Sequence, residues 1–190
     1  MEVVRFVAFG VALFGATNGD DLLLLVAWFA DPRRSAGHVV AGQYLGQVAI
    51  LASAGVAAAA ALVIAGPWVR LFGVIPIAIG IVRLGRLVTV RSSTEGAAAA
   101  STVRGIAGVA ALTIASGADN LGVYTPVFAT HPTREIAVLV GVALAMTALW
   151  CAVGYVVARH PRTGASARRW GDVLVPFVLI AVGVSILAAA

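Results

Sequence analysis

The stretch FGATNGDDLLLL, residues 14–25, places two adjacent aspartates between apolar residues, and ASGADNL at 115–121 repeats its pattern. Asp20 in the first segment matches Asp119 in the second at an offset of 99 residues, in a chain of 190. Burying carboxylates among leucine, valine and alanine is unfavourable unless a cation or a proton compensates their charge. A duplicated feature of this kind is where we expect the chemistry of the protein.

The composition predicts an integral membrane protein. The mean hydropathy is +1.02, with 61% apolar and 11% charged residues, which lies far from the composition of soluble domains. A spanning helix needs about 20 residues, and the predicted spans follow one another closely along the chain. We therefore expect one transmembrane domain, residues 1–190, because the connections are too short to hold a soluble domain. The six predicted spans are 3–29, 39–64, 69–88, 105–128, 135–158 and 172–189.

The basic residues indicate topology rather than nucleic-acid binding. All 13 are arginines, of which ten lie in or beside the odd-numbered loops and three on the other side. The positive-inside rule therefore predicts cytoplasmic odd-numbered loops and two extracytoplasmic termini. A nucleic-acid interface would need these arginines on one folded face with aromatic partners, and the chain has no domain that offers one.

The repeated acidic segment divides the chain into two halves of three spans, about 1–93 and 94–190. Pro76 and Pro176, in the third and sixth spans, form a second correspondence. Because each half has an odd number of spans, the second half crosses the membrane in the opposite sense, as in the inverted repeats of secondary transporters. The alternative is chance similarity between segments rich in alanine, glycine and leucine.

The acidic segments are predicted to interrupt the first and fourth helices near mid-membrane. Glycine, asparagine and aspartate weaken helices, and an unwound turn frees backbone carbonyls where it lines a cavity. The two segments are expected to face each other and form one oxygen-rich site for a divalent cation, with calcium or manganese favoured by ligand hardness alone. The predicted core residues are Asn18, Asp20, Asp21, Asp119 and Asn120.

Charge repulsion gives this site a route to proton exchange. Adjacent carboxylates in a low-dielectric setting cannot all ionise, so we expect at least one proton in the absence of metal. Metal entry would expel that proton. The alternative is that the carboxylates pair with intramembrane arginines or cap broken helices.

Other polar side chains are candidates for a supporting role. Thr17 and Ser116 offer hydroxyl groups within the two acidic segments. Gln43 and Gln47, four residues apart, share one face of the second span, and Tyr44 lies alongside them. Two interpretations are open for the glutamines, which either hydrogen-bond to the acidic segments or join neighbouring helices.

Tyr124 and Cys151 complete the set of candidates. Tyr124 is interpreted as lining the exit of the pathway or as an interfacial aromatic anchor. Cys151 is the only cysteine, which excludes a disulfide framework and a CxxC metal site. Its default role is apolar packing, and the alternative is a soft ligand facing the pathway.

Five segments together resemble the CadD-type cadmium-resistance transporter family, within the LysE-like superfamily of small exporters. The resemblance implies a six-helix inverted-repeat membrane protein that exports cadmium, and it points to the same five core residues. The segments are FGATNGDDLLLL at 14–25, GQYLGQ at 42–47, IPIAIGI at 75–81, GADNLGVYTPVF at 117–128 and VPFVLIAVGV at 175–184.

The expected function is secondary-active export of a divalent heavy metal, Cd²⁺, from a bacterial cytoplasm across the plasma membrane in exchange for protons. The sequence has no GxxxxGK[ST] phosphate-binding loop and no DKTG-like segment. We expect no resident cofactor and no enzymatic activity, and homo-oligomerisation is left open. The alternatives are export of Mn²⁺, Ca²⁺ or a small amino acid, and an integral-membrane enzyme with Asp20 and Asp119 as an acid pair.

Overall fold

The part of the chain that the structure describes is helical. The computed structural model describes residues 2–65, 68, 71–72, 74–88, 105–159, 180, 184 and 186–187. No strand occurs in these ranges. Their seven α-helices are α1 (Glu2–Thr17), α2 (Gly19–Ala30), α3 (Ala36–Ala65), α4 (Val74–Val88), α5 (Gly105–Ser116), α6 (Ala118–Thr130) and α7 (Thr133–Arg159).

Two of the predicted spans, the second and the fifth, match single helices of sufficient length, and the first and fourth correspond to bent helix pairs. Within the described ranges, α3 and α7 are each long and apolar enough to cross a membrane, and up to four spans result if each bent helix pair counts as one. The pairs are α1 with α2, bent by 63°, and α5 with α6, bent by 71°. The predicted interruptions of the first and fourth helices are therefore present.

The third and sixth predicted spans are only partly covered by the described residues. Within the described residues, the third predicted span contains the 15-residue helix α4, Val74–Val88, whereas a spanning helix needs roughly 20; residues 69, 70 and 73 of this span lie outside the described ranges. The predicted linker at 89–103 lies outside the described residues. So does the sixth predicted span, 172–189, including Pro176, apart from residues 180, 184 and 186–187.

The long helices pack across the two halves of the chain. α3, from the first half, packs along α5 and α6, whereas α7, from the second half, packs along α1 and α2. The main apolar core forms where these groups meet, around Leu13, Phe14, Val123 and Tyr124, all nearly inaccessible. Each broken helix pair is thus held by the long helix of the opposite half.

Two glycines bring α3 and α5 into close contact. A Cβ atom at Gly42 would lie 2.5 Å from Val109 Cβ and 2.8 Å from the carbonyl oxygen of Ile106. A Cβ atom at Gly46 would lie 2.6 Å from Thr113 Cβ. This small-xxx-small spacing lets two backbones approach closely in lipid, so both glycines serve helix packing.

A polar turn connects α2 to α3. The Asp31 carboxylate accepts the backbone N–H of Arg33 at 3.0 Å and Arg34 Nε at 3.2 Å. The hydrogen bond from the Arg33 backbone, supported by the Arg34 guanidinium, lowers the pKa of Asp31 below its usual value. Asp31 therefore keeps its charge near neutral pH and holds the turn that carries both arginines.

Replacing Gly42 with alanine is expected to lower stability by about 1–3 kcal/mol, because the added methyl group collides with backbone that cannot move aside. Gly55→Ala, the same change in the same helix, is the control, since a Cβ atom at Gly55 would have nothing within 4 Å. Thermal unfolding in detergent measures both. Equal melting temperatures for the two variants would contradict the close packing of α3 on α5.

Candidate functional site

Both helix breaks place acidic residues at the start of a new helix. Asn18 separates α1 from α2 with φ −112° and ψ 22°, and Gly117 separates α5 from α6 with φ −85° and ψ 16°. Asp20 and Asp21 lie in the first turn of α2, and Asp119 lies in the first turn of α6. Carboxylates are stabilised there by the unpaired N–H groups and the dipole of the helix.

Side-chain donors occupy the backbone carbonyls at the first break. Thr17 Oγ1 donates to the carbonyl of Leu13 at 3.0 Å, and Asn18 Nδ2 donates to that of Phe14 at 3.1 Å. The indole Nε1 of Trp150 donates to the carbonyl of Asn18 at 2.8 Å. These three carbonyls already accept a side-chain hydrogen bond, and the expectation that unwinding frees backbone carbonyls as ligands stays a prediction.

The Asp21 carboxylate joins the two acidic segments. It is 3% exposed, and it accepts hydrogen bonds from Ser116 Oγ at 2.9 Å and from Gln43 Nε2 at 3.1 Å. Gln43 Oε1 in turn accepts from Thr113 Oγ1 at 2.9 Å. Both donors to Asp21 among the described residues are neutral, so within that part of the chain the predicted alternative in which arginines pair with the carboxylates does not describe Asp21.

A pair of amides forms a second link between the segments. Asn120 Nδ2 donates to Asn18 Oδ1 at 3.1 Å, and both side chains are at most 1% exposed. Asn18 Nδ2 also donates to Thr17 Oγ1 at 2.7 Å. The expected meeting of the two segments is therefore observed at the level of side-chain contacts.

The three aspartates differ in their surroundings. Asp21 is buried, Asp119 is half-buried and Asp20 is exposed, although the charges of Asp20 and Asp119 both act on Asp21. Within the described ranges, no three His, Cys, Asp or Glu side chains come together in a metal-binding group. A cation held here in this arrangement would therefore need neutral oxygen ligands from asparagine, glutamine or serine in addition to carboxylate.

The structure separates the roles of the supporting candidates on α3. Gln43 contacts the acidic segments directly, as one of the two interpretations predicted. Tyr44, in contrast, donates its hydroxyl to the carbonyl of Leu144 at 3.1 Å, and so joins α3 to α7. Gln47 is fully buried on the same face as Gln43.

Tyr124 and Cys151 both lie in the interior. Tyr124 is 1% exposed, with its hydroxyl beside Thr17 and Asn18, so the interpretation as an interfacial anchor is wrong. Cys151 packs with Leu24, Leu25 and Trp28 and lies close enough to Asp21 to experience its charge. Its apolar packing is as expected, and a role as metal ligand stays a prediction.

Two residues of this network were not predicted from the sequence. Thr113 orients Gln43, and Trp150 holds the first break through the carbonyl of Asn18. Thr113 lies three residues before Ser116 and so on the same helical face, which is a usable signal. Trp150 lies within an apolar span, and its indole N–H requires a partner when it is buried.

The chain is similar to a known protein family. A family model described as "Cadmium resistance transporter" matches residues 14–190. No curated protein and no solved structure matches the chain.

Replacing Ser116 with alanine is expected to lower stability by about 1.5–3 kcal/mol, because the buried Asp21 carboxylate loses one of its two donors. Ser53→Ala is the matched control, since Ser53 is exposed on α3 and surface changes usually stay within about 0.5 kcal/mol. The measurement is thermal unfolding in detergent without added metal. A Ser116→Ala variant that melts like the wild type would contradict the importance of this contact.

Proposed function

The chain belongs to the cadmium resistance transporter family, and we propose that it exports Cd²⁺ from the cytoplasm by secondary-active transport through the interface between its two helix breaks. Its composition and apolar helices are those of a membrane protein, and its family is one of transporters. We propose the identity of the transported ion, the residues that bind it and the gradient that drives its export.

The buried Asp21 carboxylate is the observation that carries the proposal. It is shared between the two halves of the chain through Ser116, and its two hydrogen-bond donors among the described residues are neutral. A buried carboxylate without a basic donor is unfavourable unless a cation or a proton compensates it. Transport of a cation supplies that compensation as part of the function.

The proposed binding residues are the five core residues of the two acidic segments, with the cation held mainly between Asp21 and the paired amides. Asp20 is exposed and is proposed to receive the ion on its way to or from Asp21. The full proposed set is Asn18, Asp20, Asp21, Asp119 and Asn120.

Alternating exposure is proposed to come from two inverted three-helix repeats that rock against each other. The bent pairs of 63° and 71° and the packing of each long helix on the opposite broken pair support this arrangement. Rocking would alter the Ser116–Asp21 and Asn120–Asn18 contacts together, because both cross between the halves. Binding and movement would then be coupled at one interface.

The proposed energy source is the proton gradient. The sequence has no phosphate-binding loop to couple ATP hydrolysis, and a proton on the acidic group would leave as the metal enters. In this scheme the protein lies in a bacterial plasma membrane with both termini outside, so protons enter the cell as metal leaves.

Asp21→Asn is expected to abolish export, because it keeps the shape of the side chain and removes the charge that compensates the cation. Cells that carry this variant should accumulate cadmium to the level of cells without the transporter, whereas wild-type cells keep a lower content. Asp31→Asn, the same change in the exposed α2–α3 turn, should export like the wild type. Low cadmium content in the Asp21→Asn cells would contradict the proposed site.

Proteoliposomes with an imposed pH gradient test the coupling. We expect faster Cd²⁺ transport when the gradient drives protons opposite to the metal, and slow transport without a gradient. Zn²⁺ and Mn²⁺ measured in parallel report selectivity, because oxygen ligands alone favour the harder ion. Cadmium transport that ignores the gradient would contradict proton exchange, and a clear preference for Mn²⁺ would contradict cadmium as the cargo.

A further inference from the structure

Gln47 differs from its neighbour Gln43 in what it contacts. The Gln43 amide donates to Asp21 and accepts from Thr113. Gln47 is 0% exposed, yet neither its Oε1 nor its Nε2 has a hydrogen-bond partner in the part of the chain that the structure describes. Burying an amide without partners is unfavourable, and a buried polar group of this kind marks a place for a ligand or an ordered water.

The position of Gln47 is set by the contacts on either side of it. α3 meets the second break through Gly46, which packs against Thr113, and through Ile50, which packs against Gly117. Gln47 lies between these two contacts and one turn, about 6 Å, beyond Gln43 on the same helical face. The amide therefore faces the end of α5, at the level of the second helix break.

A second buried oxygen faces the same break. The carbonyl of Phe14 is only an acceptor, so the Asn18 amide must turn its Nδ2 toward it. The Asn18 Oδ1 then accepts from Asn120 Nδ2, which leaves Asn120 Oδ1 buried and without a donor among the described residues. This series of side-chain hydrogen bonds therefore ends at an acceptor oxygen, Asn120 Oδ1. Asn120 Nδ2 also lies 3.2 Å from the position of a Cβ at Gly117, so this oxygen belongs to the same break.

We propose that Gln47 Oε1 and Asn120 Oδ1 bind the transported divalent cation directly, as neutral ligands that complement the Asp21 carboxylate. This inference rests on the proposed function and adds Gln47 to its binding residues. Amide and carbonyl oxygens are common ligands of divalent cations at roughly 2.3–2.6 Å. Charge count tunes the affinity of such sites, and neutral ligands favour the release that an exporter requires.

The test uses the full-length protein purified in detergent, with CdCl₂ titrated calorimetrically and unfolding measured in parallel without metal. Gln47→Leu removes the amide and breaks no hydrogen bond to a described residue. It should melt at or above the wild-type temperature while its Kd for Cd²⁺ rises at least tenfold. Gln43→Leu is the contrasting variant, since it removes a donor from Asp21 and should melt at a lower temperature. Gln47→Glu, which restores an oxygen at the same reach, should recover binding.

The outcomes separate the ligand role of Gln47 from the proposed binding site at Asp21. If Gln47→Leu binds Cd²⁺ within twofold of the wild type while Asp21→Asn does not bind, Gln47 is not a ligand and the proposed function stands. If Asp21→Asn itself binds like the wild type, the proposed site is wrong. Should Gln47→Leu fail to fold, the Gln47→Glu variant decides, because a new carboxylate ligand must change the ratio of Cd²⁺ to Mn²⁺ affinities. An unchanged ratio would overturn the inference.

Discussion

The hydrogen bond from Ser116 to the buried Asp21 carboxylate is the contact on which the centre of this protein depends. It joins two broken helices from opposite halves of the chain, and Gln43 supplies the second donor from α3. Two donors lower the cost of burying the carboxylate without neutralising it, whereas a basic partner would have neutralised it. Because both donors among the described residues are neutral, a negative charge on Asp21 would be available to the cation of the proposed function.

Packing around this contact links the two helix breaks. The close approach of α3 to α5, which Gly42 and Gly46 permit, brings Gln43 to the second break. Trp150 on α7 holds the first break through the carbonyl of Asn18. Each break is therefore supported by a long helix of the other half, so a shift of one half changes both breaks together. In the proposed transport cycle, this coupling would link the two halves as they rock about the binding site.

Much of the fold was predictable from the sequence. The breaks at Asn18 and Gly117 were predicted because glycine, asparagine and aspartate weaken a helix locally. The different roles of Gln43 and Gln47 were not, because both lie on one face of one helix and only the neighbouring helices distinguish them. The burial of Tyr124 could not be predicted either, because an aromatic residue near the end of a predicted span can lie at the membrane interface or in the protein interior.

By itself the sequence determined that the chain is an apolar helical membrane protein with acidic segments interrupting two spans. Composition and helix propensity are properties of residues and their near neighbours, so they can be read along the chain. Only the tertiary structure decided that Ser116 donates to Asp21 and Asn120 to Asn18, across sequence separations of 95 and 102 residues. Such pairings depend on the depth and rotation of each helix against the others, and packing between helices sets both.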